Sequence, residues 1–434
     1  MLPRLRSREF SFRSGVTTTV TASALVISGA VMAPVEAAAV PPRHISYRQW
    51  DTAVQLRTGA FSGTTVAAGK LRLDRPKVKT TVAGRSYAFG TWTSPWVKSD
   101  FPVTELVPSW ASTTPEGTLI QIQVRGVSQG GTRSSWDNLG RWAGGDGSFK
   151  RTSLGRQTDD LAHVATDTWE ASYGGFRSWQ VRVSLLRRAG TTLTPRVGTI
   201  GAMTSELPHV DGVATSTPGV ARGIVLSVPR YSQMIHVGEY PKYGGGGEAW
   251  CSPTSTTMVL AYYGRLPSST DYAWVNRSYT DRVVDHAARM TFDYGYDGTG
   301  NWPFNTAYAA KHSGHAFVTR FRSLRGVERF IRAGIPVVTS ITFGKGQLSG
   351  APISASNGHL VVVVGFTKAG NVVVNDPAAR TRSGVRRTYS RAQFEDAWLQ
   401  RYPYRGSMRG SGGLAYIIRD TAHPLPARTG NTNW

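Results

Sequence analysis

With one cysteine, Cys251, in 434 residues, the chain can form no internal disulfide, so its only thiol is either an inert packing group or a reactive one. Acidic residues are scarce as well: 27 aspartates and glutamates stand against 50 lysines and arginines, a formal net charge of +23. Such a surface suits anionic partners, among them wall polymers, acidic membranes and nucleic acid. The basic residues are scattered, however, with no dense run and no nucleic-acid module, which argues against a nucleic-acid partner. Beyond the first forty residues no hydrophobic run is long enough to cross a bilayer. Metal and organic cofactors are not indicated. His312 and His315 lack an acidic or cysteine ligand set and read as a surface turn, while His236 and His286 read as structural or solvent-exposed.

The start of the chain indicates a compartment. Arg4, Arg6, Arg8 and Arg13 precede an apolar, small-residue run from Val16 to Ala33 that ends in Val35-Glu36-Ala37-Ala38-Ala39. Residues 1–39 therefore read as a signal peptide with a small-residue cleavage site, the alternative being an anchor that stays attached. The expectation is a secreted, extracellular, monomeric protein, associated with the cell wall if its charge finds a polymer there. A lone thiol in an oxidising compartment is exposed to oxidation, which sharpens the question of why Cys251 is present.

Cys251 follows Gly244-Gly245-Gly246-Gly247-Glu248-Ala249-Trp250 and opens Ser252-Pro253-Thr254-Ser255-Thr256-Thr257-Met258-Val259-Leu260-Ala261-Tyr262-Tyr263, closed by Gly264. Proline near the start and glycine past the end predict a helix. Its N-terminal dipole and free amides favour a thiolate, the nucleophilic form. Among nine histidines, His359 has a suitable setting: Asn357-Gly358-His359 leads into Leu360-Val361-Val362-Val363-Val364-Gly365-Phe366, a buried strand. A turn at Thr367 to Asn371 returns the chain through Val372-Val373-Val374-Asn375-Asp376-Pro377. With the tip near Ala369, Asp376 should pair close to Val362, two or three residues short of His359, and a bend at Asn375 to Pro377 must close the gap. Asp376 would then orient the imidazole toward the thiol. The plain alternative is an Asp-Pro turn carboxylate and a hydrogen-bonded strand-edge histidine. Upstream, Gln233 in Val228-Pro229-Arg230-Tyr231-Ser232-Gln233 could donate its amide to an oxyanion beside the Cys251 backbone N–H, or be merely structural.

The order Gln233, Cys251, His359, Asp376, together with Gly334-Ile335-Pro336-Val337-Val338-Thr339, resembles papain-like cysteine peptidases. Within them it is similar to peptidase family thirty-nine, the bacteriocin-leader peptidases and their secreted bacterial relatives, over about residues 226–420. The resemblance implies an α+β fold with a nucleophile helix packed on an antiparallel sheet, and thiol-dependent hydrolysis of peptide bonds. The Gly238 to Gly247 insert and Trp250-Cys251-Ser252 depart from the leader peptidases. Helices are expected at Asp281 to Arg289, Pro303 to Lys311 and Ser323 to Ala333.

Residues 45–205 alternate apolar and polar in short runs, such as Thr118 to Val124 and Trp179 to Leu185, and predict an all-β sandwich of jelly-roll type. Residues 206–225 read as a linker, and 226–425 as the peptidase-like domain. Trp50, Trp92, Trp96, Trp110, Trp136, Trp142, Trp169 and Trp179 crowd the first half; they are core, or they stack on sugar rings of a glycan. Two functions stay open. One is a peptidase using Cys251, His359, Asp376 and Gln233 on a peptide or protein substrate. The other is a wall- or glycan-binding protein whose hydrolase-like domain is inactive or works as an acyl transferase or amidase.

Overall fold

The structure is a computed structural model that describes residues 42–428 other than 156, 159 and 406, so the segment read as a signal peptide lies outside the described residues. The first half forms strands where its sequence alternates. Thr118–Ser128 buries Ile120, Ile122 and Val124 and sets Gln121, Gln123 and Arg125 on the opposite face, as the two-residue period requires. Among the described residues these strands make two antiparallel sheets, of seven and eight strands. The sheets meet through tryptophans: Trp50 of the first lies edge-on to Trp92 and Trp179 of the second, with ring centroids 5.6 and 6.1 Å apart. Trp50, Trp92, Trp110, Trp142, Trp169 and Trp179 are all buried, so six of the eight tryptophans singled out are core.

The second half is built on a six-stranded antiparallel sheet in the order His315–Arg320, Leu414–Arg419, Val337–Phe343, Ser356–Phe366, Val372–Asn375, Arg386–Tyr389. The helix Cys251–Tyr262 packs on its Ser356–Phe366 strand and is buried from Ser252 to Leu260. Pro253 falls in its first turn, where the missing N–H costs no intrahelical bond. The other expected helices form at Arg282–Thr291, Trp302–Ser313 and Leu324–Arg332. Asn301 caps the second, its Oδ1 accepting from Phe304 N at 3.0 Å. His312 belongs to the last turn of that helix and packs on Tyr308, rather than to a surface turn. His236 is fully buried, which excludes the solvent-exposed reading for it.

One irregularity positions the site. Val363 pairs with Val374 but Gly365 pairs with Val373, so Val364 is an extra residue in its strand, a β-bulge. The bulge brings Asn375, not Asp376, opposite Val362. Asp376 thereby falls one step nearer His359 than a regular hairpin would place it, and on the face of the ribbon that His359 shares with Val361. The bulged backbone is not left unpaired: Leu226 N donates to Val364 O at 2.8 Å, and Phe366 N donates to Ile224 O at 2.8 Å.

Residues 206–225 have little regular structure yet are held along the second half. Ser216 N and Gly219 N donate to the buried carboxylates of Glu395 and Glu328 at 2.6 and 2.9 Å. The two halves also share a core, since Phe304 of the capped helix packs between Trp110 and Trp142, at 6.1 and 5.2 Å. Beside it the buried Arg151 guanidinium donates to the Arg289 and Phe292 carbonyls at 2.7 and 3.3 Å.

Candidate active site

Cys251 is the first residue of its helix and is half-buried, so its sulfur lies by the free N–H groups of the first turn and is still reachable from solvent. The Cys251 thiol and the His359 imidazole line the same cleft, near enough for the thiol to help raise the imidazole. His359 Nε2 stands 2.7 Å from Asp376 Oδ1, which leaves Nδ1 for the thiol. Both His359 and Asp376 are buried. The carboxylate is fully engaged: Ala378 N donates to Oδ1 at 3.0 Å, and the Tyr389 hydroxyl donates to Oδ2 at 2.7 Å. Tyr389 carries no sequence signal, because nothing in Arg387-Thr388-Tyr389 marks the strand as neighbour to the Asp376 turn.

Two opposed effects set the imidazole. Burial disfavours the charged ring, but the adjacent Asp376 carboxylate, its hydrogen bond and the thiol together outweigh burial and push His359 up to about 10. Burial likewise works against the Asp376 charge, and His359, Tyr389 and the Ala378 amide overcome it, holding that carboxyl below its ordinary range. The site is therefore arranged to keep an imidazolium beside a carboxylate and a thiol.

Gln233 lines the same cleft as Cys251 and His359. It opens the short 3-10 turn Gln233–His236, and its backbone N–H donates to Pro377 O at 2.9 Å, which ties it to the turn that carries Asp376. One amide hydrogen is used, Nε2 donating to Glu248 O at 2.7 Å; a second remains on the same nitrogen. The structure thus brings together all four residues expected from the sequence.

The cleft has a volume of about 1120 Å³, and one wall comes from the first half of the chain. The strands Ala162–Ala165 and Thr168–Ala171 form a hairpin that turns His163, Asp167 and Glu170 toward it. His163 Nε2 and Glu170 Oε2 are 3.0 Å apart. Asp167 Oδ2 accepts from Trp302 N at 2.7 Å, and burial pushes its carboxyl up to about 7. No sequence pattern announces this wall, since these residues lie more than eighty positions before Cys251.

A thiol at a helix start and an imidazole thus share one cleft, and a buried carboxylate is bonded behind the ring. Residues 225–405 match the Peptidase_C39 like family, and residues 46–205 match the peptidase C39 N-terminal domain. Across both halves, then, the chain resembles peptidase family C39 and is related to peptidases. No curated protein is detectably similar. Among solved structures, a chain described as a C39-like peptidase from Bacillus anthracis is 19% identical, with 46% of this chain and 100% of that one covered, at a TM-score of 0.29. Carbohydrate-binding modules of the β-sandwich superfamily overlap at 15% identity, 36% and 55% coverage and a TM-score of 0.18. Overlaps at these scores do not define the fold.

Proposed function

We propose that the protein is a secreted cysteine peptidase with a papain-like arrangement of nucleophile helix and base-bearing sheet. The Cys251 thiolate attacks a peptide carbonyl to give an acyl-enzyme, and His359 passes its proton to the leaving amine. His359 then takes a proton from the water that releases the acid, while Asp376 fixes the ring. The Cys251 N–H and the remaining amide hydrogen of Gln233 hold the oxyanion. The placement of His359 beside Cys251 in one cleft, with Asp376 bonded behind the ring, supports this reading most, because it supplies nucleophile, base and orienting carboxylate together. Incubation of the mature chain with casein or a peptide library should give fragments that Cys251→Ala does not. Transfer of an amine onto a glutamine-containing substrate, with no fragments, would favour an acyl transferase using the same residues instead.

A second reading concerns the first half of the chain, as a holder of anionic wall polymer. Trp96 and Trp136 are only partly buried, but their faces are occupied: Arg125 lies 5.1 and 4.3 Å from their ring centroids, and Arg182 lies 4.2 Å from that of Trp136. Sugar stacking would have to displace these guanidinium groups. Charge is the better attraction, since Lys98, Arg133 and Arg177 surround a hollow of about 570 Å³ beside Trp96. Retention on immobilised teichoic acid that falls with added salt and in Arg133→Ala supports this reading; retention unchanged by either removes it.

A further inference from the structure

A second cluster of chemically capable side chains lies behind the cleft. His236 ends the turn that Gln233 begins, Glu239 follows it, and Asp285 lies in the helix Arg282–Thr291. One ligand atom from each lies within 4.8 Å of the others. His236 and Asp285 are fully buried, and the Glu239 side chain is 13% exposed. His236 Nδ1 is 2.7 Å from Glu239 Oε2 and 3.2 Å from Asp285 Oδ2. Nδ1 lies nearer Glu239 and makes its hydrogen bond there. Among the described residues both Asp285 oxygens are without a hydrogen bond, as is His236 Nε2. A buried carboxylate whose one close polar neighbour, His236 Nδ1 at 3.2 Å, is already bonded to a second acid is in an unfavourable state that a counter-charge would relieve.

We propose that His236, Glu239 and Asp285 bind one divalent first-row metal cation, zinc in the first instance. Two carboxylates and a neutral imidazole bring the total to zero around a +2 ion, whereas without it the two acids share one imidazole nitrogen between them. One nitrogen and two oxygens suit zinc or manganese better than calcium or magnesium, which prefer all-oxygen shells. Three protein ligands leave a fourth position for water. Metal–ligand distances of about 2.0–2.2 Å put tetrahedral ligand atoms about 3.4 Å apart, so Nδ1 and Glu239 would have to separate by about 0.7 Å and Nδ1 and Asp285 by about 0.2 Å.

The site is distinct from the thiol site, since none of its three residues lines the cleft. It is nevertheless placed to act on it. The ring centroids of His236 and Trp250, the residue before Cys251, are 5.9 Å apart. Gly247 lies so close behind the turn that a Cβ there would meet the His236 carbonyl carbon at 2.5 Å. A bound ion would join the Gln233 turn to the helix Arg282–Thr291 and so hold the oxyanion side of the cleft in place.

The test uses the mature full chain carrying Cys251→Ala, so that the thiol cannot bind metal, stripped with EDTA and titrated with zinc chloride in a calorimeter, with manganese and calcium chlorides in parallel. Zinc or manganese should bind at one equivalent and raise the melting temperature, with calcium much weaker. Asp285→Asn and Glu239→Gln should each weaken binding at least about tenfold. Glu239→Gln, at the rim, guards against a misfolded Asp285 variant, and circular dichroism checks both. No saturable binding up to about millimolar metal, or binding that neither variant changes, overturns the proposal.

Discussion

A Cβ on Gly365 would stand 2.2 Å from the carbonyl oxygen of Ile224, so only glycine allows the segment before Leu226 to pair with the bulged strand. That pairing holds the extra residue Val364, and the bulge decides which face of the hairpin Asp376 occupies. Gly365→Ala should therefore separate the segment from the strand and disturb the His359–Asp376 contact from a distance. We expect a loss of about 1–3 kcal/mol of stability with reduced peptidase activity, read by chemical denaturation and turnover. A stable, fully active Gly365→Ala protein would show that the bulge does not set the carboxylate.

The pH profile follows from the raised His359. Its folded value, about 10, lies above that of an unfolded histidine, about 6.5. The stabilisation it contributes is therefore complete below the unfolded value and is lost as pH rises through about 10. Loss of activity on the alkaline side should occur in the same range. In Asp376→Asn the opposing charge is gone and burial dominates, so the alkaline limb should move down by about 1–3 pH units. A limb that stays in place would mean that Asp376 does not govern the imidazole.

The local parts of this site were legible in the chain because each rests on short-range rules. A proline and glycine bracket the helix of Cys251, and a run of valines followed by a five-residue turn marks the hairpin of His359. A regular hairpin sets Asp376 opposite Val362, whereas the bulge at Val364 sets Asn375 there; the bulge is held by pairing with residues 224–226, which no local pattern announces. Tyr389, the His163 to Glu170 wall and the burial of His236 were illegible for the same reason: each depends on strands or turns distant in sequence. The tryptophans were ambiguous because a ring alternating with polar residues reads the same whether its face meets a second sheet, as Trp92 does, or a guanidinium, as Trp136 does.

Removing the Tyr389 hydroxyl withdraws one of the donors that keep the buried Asp376 charged. Tyr389→Phe should lose about 1–3 kcal/mol near neutrality, the cost of an underpaired buried carboxylate. Because Asp376 is depressed in the folded state, its contribution is present above the unfolded carboxyl range and lost as pH falls. The weaker carboxylate in Tyr389→Phe should therefore make acid unfolding begin at higher pH than in the parent. Coincident acid transitions would assign the hydroxyl no part in holding the charge.

Gln233→Ala separates positioning from chemistry. If its second amide hydrogen reaches the oxyanion, kcat should fall by about 10² to 10³ with KM nearly unchanged. Iodoacetamide labelling of Cys251 should continue at the parental rate, since alkylation builds no oxyanion. A parallel loss of labelling would instead point to slackening of the turn that Gln233 holds through Glu248 O.

The shared core makes a statement about the whole described chain. Phe304 fills the seam between Trp110 and Trp142, while Asp167 and Arg151 cross from the first half to bond backbone of the second. An anchoring module on a free tether would melt by itself; two halves joined through buried aromatic rings should melt together. Calorimetry on the protein should accordingly show one transition, and Phe304→Ala, which empties the seam at a cost of about 3–5 kcal/mol, should lower it for both halves at once. Activity should fall with it, because the hairpin bearing Asp167 and Glu170 is also a wall of the cleft. Two resolved transitions, with only the second sensitive to Phe304→Ala, would return the first half to the status of an independent module.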